Sequence, residues 1–499
     1  MDLDAKKRNF VELLLERNIL IEPDFLEKLN EEKDPAKISE IINVKLRGQK
    51  TEAEENSKET AEKATLYSKD ESKDGKVKVL FSYSSQPKKN TAQDFINLFN
   101  YRYNSIKKIL QQRVQLESVI SISKLKMKSQ KDQASVIGMV YGKEETKNGV
   151  MLTIEDPTGT IKVFFSKNKQ ELFMRAGDIV MDEVIGISGS LGKNIIFAND
   201  LFFPEIPVTK EAKKSPIEEY AVVAPDWHVG SKQFLEDELL KFINWLNGSA
   251  GNEKQREVAS KVKYLFLAGD LVDGISNHPT QRKDLSLFTF KEQYKKASEY
   301  VKMIREDIKI IICPGNHDIV HLAEPQPPLP KEYCPDLYDL PNVILVSNPA
   351  VVNIGETENF PGFDVLIYHG YSYNYYADKI ESIRIKKPTV SDRVDLVMRL
   401  LLQKRHLAPT YDANPHLITE QDHMIIDRIP DIFISGDVHK SGVFLYKNVI
   451  TGIIGSCFQS KTDFQEKVGH TPDPGRIPLI NLKTREVKIL NFASQEEKQ

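Results

Sequence analysis

Six short stretches in the second half of the chain gather histidines and isolated carboxylates. They are Asp226-Trp227-His228-Val229-Gly230, Gly269-Asp270-Leu271-Val272-Asp273-Gly274, Gly315-Asn316-His317-Asp318, Tyr368-His369-Gly370, Gly436-Asp437-Val438-His439 and, more loosely, Gly469-His470. Mixed Asp, His and Asn side chains suit divalent cations of hard or borderline character. Two such cations roughly 3.5–4 Å apart acidify a shared water and hold the attacking and leaving oxygens of a phosphoryl group in line. On this reading Asp226, His228 and His439 hold a first cation, Asn316 and His369 a second, and Asp270 bridges both. Such ligands favour Mn2+, Fe or Zn2+ over Mg2+ alone. His317, beside Asn316, is read as the group that contacts the phosphate and protonates the leaving oxygen. The carboxylate of Asp273 is the first candidate to orient it, Asp318 the weaker one.

One Gly-His or Gly-Asp pair says nothing by itself, and a lone histidine is usually a cap or a core residue. The argument rests on all the stretches together, in this order, each after a strand. His278, His321, His406, His416 and His423 match no stretch and read as structural or surface residues. His470, near Pro472 and Pro474, reads as a loop residue.

The elements that must position these groups are short apolar runs at 220–224, 262–268, 308–313, 343–346, 365–368 and 432–435. Each ends at or just before a polar cluster. Buried strands with functional residues at their C-terminal ends are the pattern of a layered α/β domain, here residues 218–495. Residues 132–207 change to a strand rhythm, with runs at 135–141, 150–154, 161–165, 178–188 and 195–203. A turn at Asp156-Pro157-Thr158-Gly159 and Gly-rich connections suggest an OB-type β-barrel. The segment 91–131 combines a helix over 91–119 with a basic connector. Residues 1–46 look like a small helical unit built on Phe10, Leu13, Leu14, Phe25, Leu26, Leu29, Ile38, Ile41 and Ile42. Residues 47–90 read as a disordered, charge-mixed linker ending in a β-prone piece at 77–83.

Two local features allow a sharper reading. Lys124, Lys126, Lys128 and Lys131 precede the barrel; they read as a solvated linker or, more sharply, a track for DNA phosphates. The stretch 93–99 partly matches a sliding-clamp-binding box but also fits an ordinary helix face. Phe164, Phe165, Phe202 and Phe203 are expected to pack inside the barrel.

The 499 residues should form two to four domains, with a globular composition of 40% hydrophobic and 28% charged residues. A net charge of −3 does not advertise nucleic-acid binding, although a local basic patch answers to the local field. Three scattered cysteines fit a reducing cytosol better than a disulfide framework. The polar N-terminus is not a signal peptide, and no apolar run reaches the length of a membrane span.

The order Asp-x-His, Gly-Asp-x-x-Asp, Gly-Asn-His-Asp, His-Gly, Gly-x-x-His resembles the calcineurin-like metallophosphoesterases over roughly residues 218–470. The fuller arrangement of helical N-terminus, linker, barrel and phosphoesterase domain resembles the small subunits of archaeal family-D DNA polymerases. The stretches Arg405-His406-Leu407-Ala408-Pro409-Thr410-Tyr411, 464–468 and 471–475 resemble that family in particular. The resemblance implies a β-sandwich flanked by helices and a Mn2+-dependent 3′–5′ proofreading exonuclease that acts on a DNA 3′ end. It also implies a large catalytic partner subunit and a cytoplasmic, nucleoid-associated location. The larger family usually has Gly-His-x-His in its last motif, where this chain has Asp437. That carboxylate could serve the second cation and would favour Mn2+ or Mg2+, or it could leave that cation weakly held. The alternative is therefore a scaffold subunit that no longer catalyses. A stand-alone phosphatase is the third reading, and it needs neither barrel nor helical unit.

Overall fold

The computed structural model describes residues 76–84, 89–116, 118–125, 127–207, 210–275, 281–462, 465–466 and 471–493. The chain divides into two units, 1–72 and 73–499. The expected helical unit at 1–46 and most of the expected linker lie outside the described residues, and every described element belongs to the second unit.

The β-prone piece expected at 77–83 is a strand. Residues Val77–Ser82 form β1, which pairs antiparallel with the strand Ala350–Thr357 and extends a sheet of the α/β region. The next helix, Ala92–Leu110, is shorter than expected; Thr91 and Asp94 close a capping box at its start.

The barrel consists of β2 (Gln133–Thr146), β3 (Gly149–Asp156), β4 (Gly159–Ser166), β5 (Val184–Gly192) and β6 (Ile195–Phe202). It closes in the order β2-β3-β4-β6-β5. Residues 178–183, expected as strand, form a turn, with Asp182 at φ 63° and the Glu183 carboxylate accepting from the Val180 amide. An unexpected helix, Gln170–Gly177, precedes it. Phe165 and Phe203 are buried as expected, but Phe164 and the half-exposed Phe197 form an edge-to-face pair on the outside, ring centroids 6.3 Å apart.

The remaining strands are β7 (Tyr220–Val223), β8 (Val262–Ala268), β9 (Lys309–Cys313), β10 (Val343–Leu345), β11 (Ala350–Thr357), β12 (Phe360–Ile367), β13 (Ile432–Ser435), β14 (Gly442–Tyr446), β15 (Ile450–Ile454), β16 (Arg476–Asn481) and β17 (Val487–Asn491). They form two six-stranded sheets, β1-β11-β12-β13-β15-β14 and β10-β9-β8-β7-β16-β17. Strand periodicity explains how the sheets stack. In β8, Tyr264, Phe266 and Ala268 join one core, while Leu265 and Leu267 join another. The first core is shared with Val365 and Ile367 of β12 and Ile432 and Ile434 of β13, so the two sheets face each other. The outer face of one sheet packs on the helices Glu236–Leu246 and Phe290–Lys302. The other packs on Val394–Lys404. Each fully buried side chain of this kind contributes about 1.5–3 kcal/mol, and two-sided burial accounts for the mostly apolar runs.

The barrel and the α/β region meet through a buried ion pair, with Lys404 Nζ 2.7 Å from Glu183 Oε2 and both side chains at most 2% exposed. Arg102 of the first helix pairs with Asp422 at 2.6 Å and donates to the Pro409 carbonyl at 2.5 Å. Much of the stretch 405–411 therefore serves these junctions. No helix among the described residues is long and apolar enough to cross a membrane.

Candidate metal centre

The loops after β7, β8, β9, β12 and β13 carry five of the six stretches. Parallel pairing of β7 with β8 and of β8 with β9 brings three of these loops to one rim. The parallel pair β12–β13 brings the other two to the rim of the facing sheet.

Five of the seven expected ligands sit in left-handed backbone: Asp226 (φ 55°), His228 (53°), Asp270 (52°), Asp437 (69°) and His439 (54°). For residues other than glycine this costs of order 1–3 kcal/mol each, and it concentrates at functional sites. Two glycines make room for them. A Cβ on Gly269 would lie 2.2 Å from His369 Nδ1, and one on Gly315 would lie 2.1 Å from Asp270 Oδ1.

All seven expected ligands converge. His228 Nε2 lies 2.9 Å from His439 Nε2 and 3.6 Å from Asp270 Oδ2. His439 Nε2 is 3.7 Å from Asp226 Oδ1. His369 Nε2 is 3.4 Å from Asp270 Oδ2, 3.0 Å from Asn316 Oδ1 and 3.7 Å from Asp437 Oδ1. Ligands about 2.1 Å from one cation are separated by about 3.0–3.4 Å; the spacings here run from 2.9 to 3.7 Å, a few tenths of an ångström around that range. Asp226, His228 and His439 form one group whose ligand atoms all lie within 4.8 Å of one another; Asp226, Asp270 and His369 form a second. Asp226 is common to both groups, and Asp270 Oδ2 stands between His228 Nε2 and His369 Nε2.

The electrostatics also suit cations. Burial raises the Asp226 carboxyl well above its usual range, and Asp270 and Asp437 add to the effect. Burial opposes charge on Asp270 too, but His369, His317 and His228 outweigh it and hold that carboxyl far down. Burial lowers the His369 imidazole, yet Asp270, Asp226 and Asp437 outweigh it and raise it well above the ordinary value. Burial and then His228 push His439 well below it. A buried nest of acids that holds His369 toward its charged form is one that cations would neutralise.

Asp273 lies beside both His228 and His317, their ligand atoms all within 4.8 Å of one another. His317 Nδ1 donates to the main-chain carbonyl of Asp273 at 2.7 Å. The Asp273 carboxylate instead accepts from His228 Nδ1 at 3.1 Å, and from Gln281 and Gln459 at 3.1 and 2.9 Å. Asp318 accepts from Gly315 N at 2.8 Å and from the Tyr294 hydroxyl at 2.8 Å, which fastens its own loop. The expectation overlooked Gln281, Gln459 and also Gln465, whose Nε2 lies 2.8 Å from His439 Nδ1. Isolated glutamines carry no motif that would have singled them out.

The other expectations fall elsewhere. Lys124 is exposed in the short helix Ile122–Leu125, Lys128 donates to the Gln133 carbonyl at 3.2 Å, and neither belongs to the cluster. Lys126, His278 and His470 lie outside the described residues. His406 meets Asp422, His416 stacks on Tyr411 and His423 on Phe81. The clamp-like stretch 93–99 is helical, and Phe95 packs edge-on against Tyr411.

Comparison with known proteins gives concordant likenesses. The family model for the B subunits of DNA polymerases alpha and epsilon matches residues 221–443. The DNA polymerase II small subunit of Methanothermobacter thermautotrophicus is 38% identical over 80% of this chain and 79% of that protein. That of Pyrococcus abyssi is 35% identical over 80% of this chain and 63% of its own length. That of Methanocaldococcus jannaschii is 37% identical over 79% and 64%, respectively. The matched span thus falls short of two thirds of the latter two relatives.

Proposed function

This chain belongs to the small subunits of archaeal family-D DNA polymerases, and on that premise we propose that it is a 3′–5′ proofreading exonuclease working with a large catalytic subunit. The observation that carries the reading is the convergence of seven candidate ligand side chains, five of them held in left-handed backbone. Strain of this kind persists only where the surrounding structure over-determines it.

Asp226, His228 and His439 would hold one cation, Asn316, His369 and Asp437 the other, and Asp270 both. A pair of divalent cations, Mn2+ foremost and Mg2+, Fe or Zn2+ as alternatives, would supply Lewis acidity to the terminal phosphodiester and to the attacking water. His317, fixed by the Asp273 carbonyl, keeps Nε2 for the phosphate and for protonating the departing 3′ oxygen. Lys124 and Lys128 are candidates for contacts with DNA phosphates, which would weaken steeply with salt.

The one feature that favours a non-catalytic scaffold is Asp437. The deciding experiment offers a mismatched 3′ end to the complex with the large subunit in Mn2+. The wild-type complex should release the terminal nucleotide, and an assembled Asp270→Asn complex should not. No release by the wild type would leave the scaffold reading standing.

A further inference from the structure

Next to His369 in the hydrogen-bond network lies a buried carboxylate that the metal chemistry does not use. Glu324 is fully buried. Its Oε2 accepts from the Tyr368 hydroxyl at 2.8 Å and the Asn414 amide at 2.5 Å, and its Oε1 from the Asn348 amide at 3.0 Å. Asn348, also fully buried, turns its Oδ1 to the main-chain N–H of His369 at 2.9 Å. His369 is thus held at its main chain by Asn348 and at Nδ1 by the Ala268 carbonyl, 2.8 Å away.

We propose that Glu324 is a positioning residue for the cation pair, holding His369 in place through Asn348. The proposal deepens the metal-centre reading and rests on it. Three observations support it. A carboxylate taken wholly out of water is costly, and an apolar side chain of similar volume would fill the same space at lower cost. It fastens Asn348, whose amide also donates to Gln326 Oε1 at 2.8 Å and whose Oδ1 grips the main chain of a candidate ligand. Another of its partners, Asn414, belongs to the stretch that meets the barrel, where Thr410 Oγ1 donates to the Met181 carbonyl at 3.2 Å and Tyr411 N to Asp182 Oδ2 at 2.9 Å. One side chain therefore ties the barrel contact to the second cation's histidine.

The test is Mn2+ binding to the full-length chain, alone and with its large subunit, followed by the paramagnetic resonance of free Mn2+. Thermal unfolding and the excision rate are measured alongside. Glu324→Ala should weaken one of two Mn2+ sites about tenfold, with excision recovering as Mn2+ is raised. Glu324→Gln keeps an oxygen for Asn348 but sets an amide against Tyr368 and Asn414. It should lower the Tm while restoring most of the Mn2+ affinity. Asn348→Ser removes the link and leaves the carboxylate; it should weaken the same site to a similar extent, so the test survives an Ala variant that fails to fold. Wild-type Mn2+ affinity in a folded Glu324→Ala or Asn348→Ser chain overturns the proposal. A wild-type chain that binds no Mn2+ overturns the metal-centre reading and this proposal with it.

Discussion

The carboxylate of Asp273 meets Nδ1 of His228 at 3.1 Å, while His317 Nδ1 donates to the main-chain carbonyl of the same residue at 2.7 Å. An Nδ1–H donated to a carboxylate leaves Nε2 with its lone pair and makes it a better cation ligand. Asp273→Asn keeps the shape and removes that charge. The Mn2+ midpoint for excision should move up about tenfold, with the rate at saturating Mn2+ preserved. A lowered plateau with an unmoved midpoint would instead return the carboxylate to His317.

Asp437 faces His369 with Oδ1 at 3.7 Å and donates its main-chain N–H to Asp226 at 3.1 Å. A carboxylate there suits harder ions, and an imidazole suits Zn2+ and Fe. Asp437→His should therefore shift the preference of the second site from Mn2+ toward Zn2+. Competition between the two metals, followed by mass spectrometry of the native chain, measures it; an unchanged ratio would remove Asp437 from the coordination shell.

Stability should fall on mild acidification because of His406. Its Nδ1 accepts from the Ala408 N–H at 3.0 Å and its Nε2 donates to Asp422 at 3.0 Å, so the neutral ring is fixed in one tautomer. Burial first, and Arg102 with it, lowers this imidazole to about 4. In the unfolded chain it takes up a proton below about 6.5. Between those values the unfolded state binds the extra proton, so stability present at neutral pH is lost as pH falls through the window, by about 2 kcal/mol at pH 5. Urea denaturation at pH 7 and pH 5 should show the loss, and His406→Gln should reduce it.

The Lys404–Glu183 pair gives a prediction about the barrel junction. Lys404→Met strands a buried carboxylate and should cost about 3–5 kcal/mol, read as a lower Tm. The double variant with Glu183→Leu should recover most of that loss. An unchanged Tm in the single variant would show that Lys143, whose ammonium donates to the Gly177 and Ile179 carbonyls at 2.5 and 3.0 Å, compensates.

How far the sequence was legible depends on what each residue needs from its neighbours. The runs at β7, β8, β9, β12 and β13 are buried on both faces over most of their length, so they are mostly apolar and end abruptly at the candidate ligands. Strands β14 and β15 escaped notice because their hairpin turns at Lys447 and Asn448 (φ 49° and 60°) without the usual glycine. Helix Gln170–Gly177 is too short to display a period. The seven ligand candidates were legible as motifs. Their supports were not: Glu324, Asn348, Gln281, Gln459 and Gln465 act through single long-range hydrogen bonds that leave no local pattern. The spacing of Asp273 from Asp270 says nothing about which of two nearby imidazoles its carboxylate meets.

The cluster draws Asp226, His228, Asp270 and Asn316 from the loops of one sheet and His369, Asp437 and His439 from those of the other. A cation bound there is a clasp between the two halves of the sandwich, engaged only once they have closed. By mass action such a clasp stabilises the closed form by about 2.7 kcal/mol at a hundred times its Kd. Metal supply would then set the lifetime of the folded subunit as well as the rate of its chemistry, and a chelator would act on this chain as a mild denaturant.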